Sequence, residues 1–467
     1  MTKDIQLFDY QEDMVKRVQE AFRHHDSVMV QMPTGTGKTH VLAAIVGLFL
    51  KKNVCIVAHR RELVSQIKDT LARFFPDLNS EKIQVTSIQW LSRHYREIKE
   101  KPSLIVIDES HHALAETYAE VMNAYPKAKK LGLTATPYKM NGKGFTDLFD
   151  MLLCSWNMER FIAEGRLSLY DYYSIKPDSA AQLLIDSLQK RGADGDYQQK
   201  ELNEVMDVRP SLERLCLTIK EYVPGKKGIV YAISIQHAEH IAEYYRDNGI
   251  KAVAISSKTP LAERQELIER FKFSSLSSSL KSKDDEIEVL VSVDLFSEGF
   301  DCPDVEFIQL ARPTLSLAKY MQMVGRGLRV AEGKEFCVIL DNVGLYKRFG
   351  LPSVDRDWQS MFEGRTSLED ILQEACMQVN SHNCRMDVLM DGDEDMMKII
   401  SHERQQRMIM DSYGYKIVED EKGLKGIKDK DGKMILECQY KKIEVINDGF
   451  AYCYIRKKVG RKEWIDL

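Results

Sequence analysis

The chain has 467 residues, 44% of them hydrophobic and 29% charged, and a formal net charge of -5 at pH 7. Such a length exceeds what one hydrophobic core supports and predicts two or three domains of ordinary soluble globular composition. The acidic total excludes a uniformly basic nucleic-acid binder but allows a local basic groove.

Nine cysteines are scattered without C-x-x-C pairs, and the N-terminus has no charged-then-apolar signal pattern. No apolar run approaches the roughly 18 residues a membrane span needs. A reduced, cytoplasmic compartment with no membrane association is therefore the expectation. Cys376, His382, Cys384 and His402 match no common zinc-finger spacing and read as ordinary residues.

In chain order, Phe8, Met14, Val15, Val18 and Phe22 share one face, so residues 7–25 read as a helix opened by L-F-D-Y-Q. Gln11 in that segment carries a donor and an acceptor, which suits an adenine edge as well as it suits solvent. Next come an apolar strand at 27–30, the stretch V-Q-M-P-T-G-T-G-K-T, and a helix over 40–50. Pro33, Thr34, Gly35, Thr36 and Gly37 form a loop able to wrap phosphates with backbone N–H groups, Lys38 reaches terminal phosphates, and Thr39 ligates Mg²⁺. Met32 stands where the full pattern has glycine.

Residues 54–58 form a short strand that ends in H-R-R-E-L-V-S-Q. Residues 83–88 form another, ending near Thr86, Ser87 and Gln89. Strand ends in an open α/β sheet face the ligand edge, so Arg61, Thr86 and Gln89 are candidates for a phosphate backbone. L-I-V-I-D-E-S-H-H reads as a buried parallel strand ending in Asp108 and Glu109. An acid there binds Mg²⁺, and its neighbour polarises a water. L-G-L-T-A-T-P, carrying Thr134 and Thr136, closes a first α/β domain at about residue 140, with Gly142 and Gly144 as hinge candidates.

A second α/β pattern follows: a strand at 228–232, a helix at 235–248, a strand at 251–256 and a helix at 261–273. A Ser-rich stretch at 274–282 reads as a flexible insertion. Strands at 288–293 and 305–310 flank D-L-F-S-E-G-F-D-C-P, and Q-M-V-G-R-G-L-R follows. Arg326 and Arg329 in that last segment suit phosphate oxygens as well as they suit a solvated surface.

The ordered set Gln11, P-T-G-T-G-K-T, R-R-E-L, D-E-S-H, T-A-T-P, S-E-G-F-D and Q-M-V-G-R-G-L-R resembles the superfamily 2 helicases. It is most similar to the DEAD/DEAH-type branch with XPB-like and restriction-enzyme motor subunits. The resemblance runs from about residue 7 to about 345, and the branch often lacks the first glycine of the loop. It implies an α/β fold of two tandem RecA-like domains, 1–140 and 141–350; residue patterning beyond them predicts a helical linker over 351–410 and a β-rich segment over 411–467. It also implies that Gln11 reads adenine, Lys38 and Thr39 hold phosphate and Mg²⁺, Asp108 is the metal-side acid and Glu109 activates water. Thr134 and Thr136 would couple hydrolysis to domain movement, Gly299 and Asp301 would meet nucleotide and the domain interface, and Arg326 and Arg329 would be arginine fingers. Arg61, Thr86 and Gln89 would face nucleic acid. Gln322 replaces the His of DEAD-box RNA helicases and D-E-S-H replaces D-E-A-D, which disfavours RNA remodelling. The implied activity is an ATP-dependent helicase or translocase with ATP and Mg²⁺, DNA favoured over RNA; the rival is a nucleotide-gated clamp that separates no strands.

The tail lies outside that resemblance. Leu368, Ile371, Leu372 and Ala375 have helical spacing, an acidic patch covers 391–395, and Asp431-Gly432 is a hairpin signal. K-G-I-K-D, D-G-K, Tyr440, Ile443 and G-F-A resemble a WG-type β-repeat, with a partial second copy at K-E-W-I-D. Too few copies for a self-sufficient repeat array imply packing on the motor or a protein partner for this segment.

Overall fold

The computed structural model describes residues 6–59, 61–75, 82–112, 115–192, 194–273, 286–293, 302–367, 370–371, 373, 396–420, 423–447, 450–455 and 462–466. The Ser-rich stretch, Gly299, Asp301, Cys376, His382, Cys384, the acidic patch, Leu368, Leu372 and Ala375 lie outside them.

Six strands build the first sheet: β1 (Ser27–Gln31), β2 (Val54–Ala58), β3 (Ile83–Ser87), β4 (Leu104–Ile107), β5 (Lys129–Thr134) and β6 (Met151–Cys154). Their order is β3-β2-β4-β5-β1-β6, and every pairing is parallel. β2 and β4 are unbroken apolar runs, as strands covered by helices on both faces require, and all five residues of β1 and of β2 are buried. Met32, at the glycine position of the phosphate-loop pattern, is fully buried in this core and its N–H donates to the Thr134 carbonyl. It continues the sheet; the phosphate wrap starts after it.

The second sheet holds β7 (Leu169–Ile175), β8 (Gly228–Tyr231), β9 (Ala252–Ile255), β10 (Val289–Ser292), β11 (Phe307–Leu310), β12 (Phe336–Asp341) and β13 (Met396–Ile400). The order is β13-β7-β12-β11-β8-β10-β9, parallel except for the edge strand β13. Two open parallel sheets in tandem are the architecture the motifs imply. Sheet membership departs from the expected limits at two places. β6 lies beyond residue 140 yet pairs with β1, and β13 lies inside the stretch expected to be a helical linker yet pairs with β7. The physical reason is edge closure, since each added strand satisfies the outer N–H and C=O groups of its neighbour.

The segment after β12 also stitches the molecule together. Phe362, at the end of the helix Trp358–Phe362, is 2% exposed and packs into first-sheet core with Met29, Ile105, Phe145 and Phe149. The Phe145 N–H donates to the Phe362 carbonyl at 2.7 Å. Near β13, Asp171 accepts from the His402 backbone and ring nitrogens at 2.7 and 2.6 Å and pairs with Lys398 at 2.9 Å. Those bonds outweigh burial and hold the Asp171 carboxyl below the usual carboxylate range.

A third, antiparallel sheet comprises β14 (Lys416–Glu419), β15 (Lys425–Lys428), β16 (Met434–Asn447), β17 (Phe450–Ile455) and β18 (Lys462–Asp466), in chain order. The Asp431-Gly432 hairpin forms as expected, with Gly432 at φ 81° and its N–H donating to the Asp429 carbonyl. A small core of Met410, Ile427, Leu436 and Tyr440 seats the sheet against the helix His402–Ser412.

The two hinge candidates behave differently. A Cβ on Gly142, at φ 69°, would meet open space, whereas one on Gly144 would lie 2.5 Å from the Phe362 carbonyl oxygen and 2.7 Å from the Gly364 nitrogen. Backbone cannot rotate aside, so Gly144→Ala displaces the 362–364 strap and destabilises by about 1–3 kcal/mol. Gly142→Ala carries only φ strain of about 1 kcal/mol. Thermal melting checks this, with the larger fall in Tm expected for Gly144→Ala.

Candidate active site

The C-terminal edge of the first sheet collects the candidate residues because parallel strands end there and loops begin. β1 runs into the phosphate loop, β4 into Asp108 and Glu109, and β5 into Thr134 and Thr136. Gly35 and Gly37 have φ of 93° and 81°, values only glycine adopts without strain, and Gly37 precedes the helix Lys38–Gly47. The Thr36 hydroxyl donates to the Pro33 carbonyl at 2.8 Å, which closes the loop on itself. Thr34 Oγ1 is buried without a hydrogen-bond partner among the described residues.

Gln11 is 3% exposed, and its amide is engaged with the loop. Its Nε2 donates to the Thr36 carbonyl at 3.1 Å and its Oε1 accepts from the Phe8 N–H at 3.0 Å. Tyr10 donates to the same carbonyl at 3.1 Å. Beside them, the Arg166 guanidinium lies over the Phe8 ring at 4.2 Å. Tyr10 and Arg166 were not legible as site residues, since nothing local marks them.

Glu109 is the one non-glycine residue with positive φ among the described residues, at 47°. Backbone held in that region costs of order 1–3 kcal/mol and concentrates at functional sites. Its carboxylate is largely buried, and Oε2 accepts no hydrogen bond, lying 3.4 Å from His111 Nδ1. Lys38 is half-buried, and desolvation pushes its pKa below the ordinary lysine value. Glu109 and Asp108 oppose that shift, while Arg326 and Arg329 add to it. Its Nζ lies 3.4 Å from the Met32 carbonyl.

The second sheet supplies the opposite wall through the helix Leu317–Gly327, whose N-cap Ser316 accepts from the Lys319 N–H. Arg326 is 6% exposed. A Cβ on Gly35 would meet Arg329 Cγ at 3.2 Å, and one on Gly325 would meet Thr34 Cβ at 2.5 Å. The phosphate loop and this helix are thus in direct contact. Between them lies a cleft of 560 Å³ lined by Lys38, Thr39, Asp108, Glu109, Lys272, Arg326 and Arg329, with His40, Asp69 and Arg73 at one side. A larger, mostly apolar cavity of 710 Å³ sits elsewhere, between residues 157–164, 351–354 and the helix His402–Ser412. It holds no phosphate-loop residue and neither acid of the D-E-S-H motif, so the smaller cleft carries the chemistry.

His111 joins the two walls. Thr134 Oγ1 donates to the Thr136 carbonyl at 3.2 Å and accepts from the Thr136 N–H, so it accepts again from His111 Nδ1–H at 3.0 Å. His111 Nε2 is left as acceptor for the Gln322 amide at 3.3 Å. Acid motif, threonine motif and second-sheet helix therefore share one imidazole. The sequence offered His111 as a letter of the motif but not as a link.

The nucleic-acid candidates lie at the ends of β2 and β3. Gln89 is exposed, and its Nε2 donates to the His59 carbonyl at 3.3 Å. Thr86 is only 9% exposed. Arg61 opens the helix Arg61–Phe74.

Fold and site together define a P-loop ATPase with a composite cleft between two RecA-like sheets. Residues 4–139 match the family described as Type III restriction enzyme, res subunit, and residues 210–331 the family described as helicase conserved C-terminal domain. A 51.5 kDa protein of a Lactococcus phage is 33% identical over 341 residues, covering 72% of this chain and 70% of the phage protein. A Saccharomyces cerevisiae protein whose name proposes an ATP-dependent helicase, IRC3, is 27% identical over 72% of this chain and 51% of its own. The DNA 3'-5' translocase XPB2 of Sulfurisphaera tokodaii is 25% identical over 70% of this chain and 79% of its own. The structure of the ATP-dependent Type ISP restriction-modification enzyme LlaBIII bound to DNA superposes with a TM-score of 0.54 at 14% identity. It shares the fold over 81% of this chain and 31% of that one. The chain belongs to the superfamily 2 helicases, a class of ATP-hydrolysing helicases and translocases. It spans only about half the length of IRC3.

Two outcomes follow from this geometry. A lysine must be protonated to hold phosphate, and Lys38 loses its proton below the ordinary 10.5. ATP affinity measured by titration from about pH 7 to about pH 10 should therefore fall as pH rises, beginning well before free lysine would titrate. His111→Ala should keep basal hydrolysis but lose nucleic-acid stimulation by roughly tenfold, about what one hydrogen bond of ~1.4 kcal/mol made in the closed state contributes. Gln322→Ala should match it, and the double variant should be no worse than either, as read by ATPase rates with and without DNA.

Proposed function

We propose that this chain is a DNA-directed motor that hydrolyses ATP in the cleft and moves on nucleic acid as the cleft closes and opens. The observation that carries this reading is the contact of the phosphate loop with the helix bearing Arg326, through Gly325 against Thr34 and Arg329 against Gly35. The residues fit ATP with Mg²⁺. Two positive-φ glycines turn loop N–H groups, an unpartnered Thr34 hydroxyl lies in the loop, and a half-buried cation faces two acids. Thr39 and Asp108 would hold the metal, and bound ATP–Mg²⁺ supplies the transferable phosphoryl group with a divalent charge against its oxygens.

Within that site, Lys38 binds terminal phosphate oxygens and Glu109 orients a water and takes its proton. Arg326 and Arg329 offset the charge developing on the phosphoryl oxygens, an effect on the order of 10³-fold or more. Gln11 reports on the loop through the Thr36 carbonyl, and contact with adenine requires its amide to turn outward. Thr134 and Thr136 pass the state of the acids to Gln322 through His111. We assign Gly299 and Asp301 to the nucleotide side of the domain interface, and Arg61, Thr86 and Gln89 to the nucleic-acid backbone, Gln89 being the exposed one of the last two.

Support for DNA comes from the relative named as a DNA translocase and from the similarly folded restriction-modification enzyme whose structure is bound to DNA. We place the first domain at residues 1 to about 155, to include β6, and the second from there to about 410, to include β13. The third sheet we read as a WG-type module for a protein partner, supported by its separate core and its own five-stranded antiparallel sheet. Cys55, Cys154, Cys216, Cys302, Cys337 and Cys438 are free thiols, as suits the reduced cytoplasm we assign.

ATPase rates with single-stranded DNA, duplex DNA and RNA in parallel test the substrate, with stimulation expected from DNA and little from RNA. A strand-displacement assay beside them separates unwinding from clamping. Glu109→Gln should bind ATP and turn it over at least about 10²-fold more slowly; near-normal hydrolysis would sink the assigned base. Arg326→Ala should keep nucleotide affinity within about threefold while its rate collapses; equal loss of both points to misfolding.

A further inference from the structure

Arg329 leaves the helix Leu317–Gly327 and enters a short turn, Val330 to Gly333, that Lys334 closes. The Lys334 N–H donates to the Ala331 carbonyl, and Gly333 has φ 80°. The Lys334 side chain then folds back under the turn. Its ammonium donates to the Gly327 carbonyl at 2.5 Å, the Arg329 carbonyl at 2.8 Å and the Pro303 carbonyl at 3.1 Å. An ammonium has three N–H groups, and all three are used.

The Gly327 carbonyl sits where the helix leaves its last carbonyls without intrahelical partners and where its dipole is negative, and the Arg329 carbonyl lies just beyond the C-cap Leu328. The third belongs to the segment that follows S-E-G-F-D, so one cation ties both second-sheet motifs together at the cleft wall. No carboxylate lies within ion-pair distance of Lys334 among the described residues. A compact ammonium suits three converging carbonyls, whereas the planar guanidinium of arginine does not. Burial pushes the Lys334 pKa down, with Cys337, Asp304 and Glu306 opposing.

We propose that Lys334 is a positioning residue for ATP hydrolysis, fixing the turn backbone that carries Arg329 so that this arginine reaches the phosphate loop. This rests on the assignment of that arginine made above. Lys334 never touches nucleotide on this reading. It removes freedom from the turn that bears the second arginine.

The experiment is DNA-stimulated ATP turnover of the full chain for Lys334→Met, Lys334→Arg, Arg329→Ala and the Lys334→Met/Arg329→Ala double variant, each with a thermal melt. Lys334→Met should lose at least about tenfold in kcat with KM within about threefold, and the double variant should be no slower than Arg329→Ala alone. Lys334→Arg should fall between wild type and Lys334→Met. Losses that multiply in the double variant would mark a merely structural lysine and overturn the proposal, as would an unchanged kcat in Lys334→Met. If Lys334→Met fails to melt cooperatively, Lys334→Arg decides: reduced kcat at unchanged KM supports positioning, and wild-type kcat overturns it. A slow Lys334→Met beside a normal Arg329→Ala also overturns it, whereas an unaltered chain with no DNA-stimulated turnover would instead sink the motor reading itself.

Discussion

Gly325 stands so close to Thr34 that a single added methyl group would meet that side chain at 2.5 Å. The close approach of a helix from the second sheet to a loop from the first is the constraint on which the rest of the site depends. It brings Arg326 and Arg329 into the electrostatic surroundings of Lys38, which also faces Asp108 and Glu109. With burial already disfavouring the lysine charge, the cleft is poised for a polyanion. A site of this kind has weak reason to stay closed without phosphate and strong reason to close on it, which is the asymmetry a nucleotide-driven cycle needs.

Much of this was legible because the strands that carry chemistry are unbroken apolar runs ending abruptly in polar residues. L-I-V-I-D-E announces both β4 and its acids. Elements that escaped are those whose stability comes from far along the chain. β7 has Asp171 at its centre, which spoils an apolar run, and the acid is tolerated because His402 and Lys398 neutralise it. β6 has four residues, too few to separate a strand from a buried helical turn. The tail read as a linker for the same reason: the partners of Phe362 and Met396 lie hundreds of residues earlier.

The two departures from the D-E-A-D pattern tell a sharper story. His111 and Gln322 looked like independent substitutions on the sequence, one in each domain. In the fold they are a single contact, 3.3 Å across the cleft. A change at one such position demands a complementary change at the other, because a donor and an acceptor must still meet. Their pairing is invisible without the domain interface, and the interface is what gives either residue a role.

The strap through Phe362 limits how the cleft can open. Its carbonyl is fixed to the Phe145 N–H, its ring is buried in first-sheet core, and the backbone at 362–364 packs so closely on Gly144 that a Cβ there would not fit. The second sheet is joined to the first at this point as well as through the chain between β6 and β7. Two such attachments leave a rotation about the line joining them cheaper than a free separation, since separation would expose the aromatic core and strand a backbone hydrogen bond.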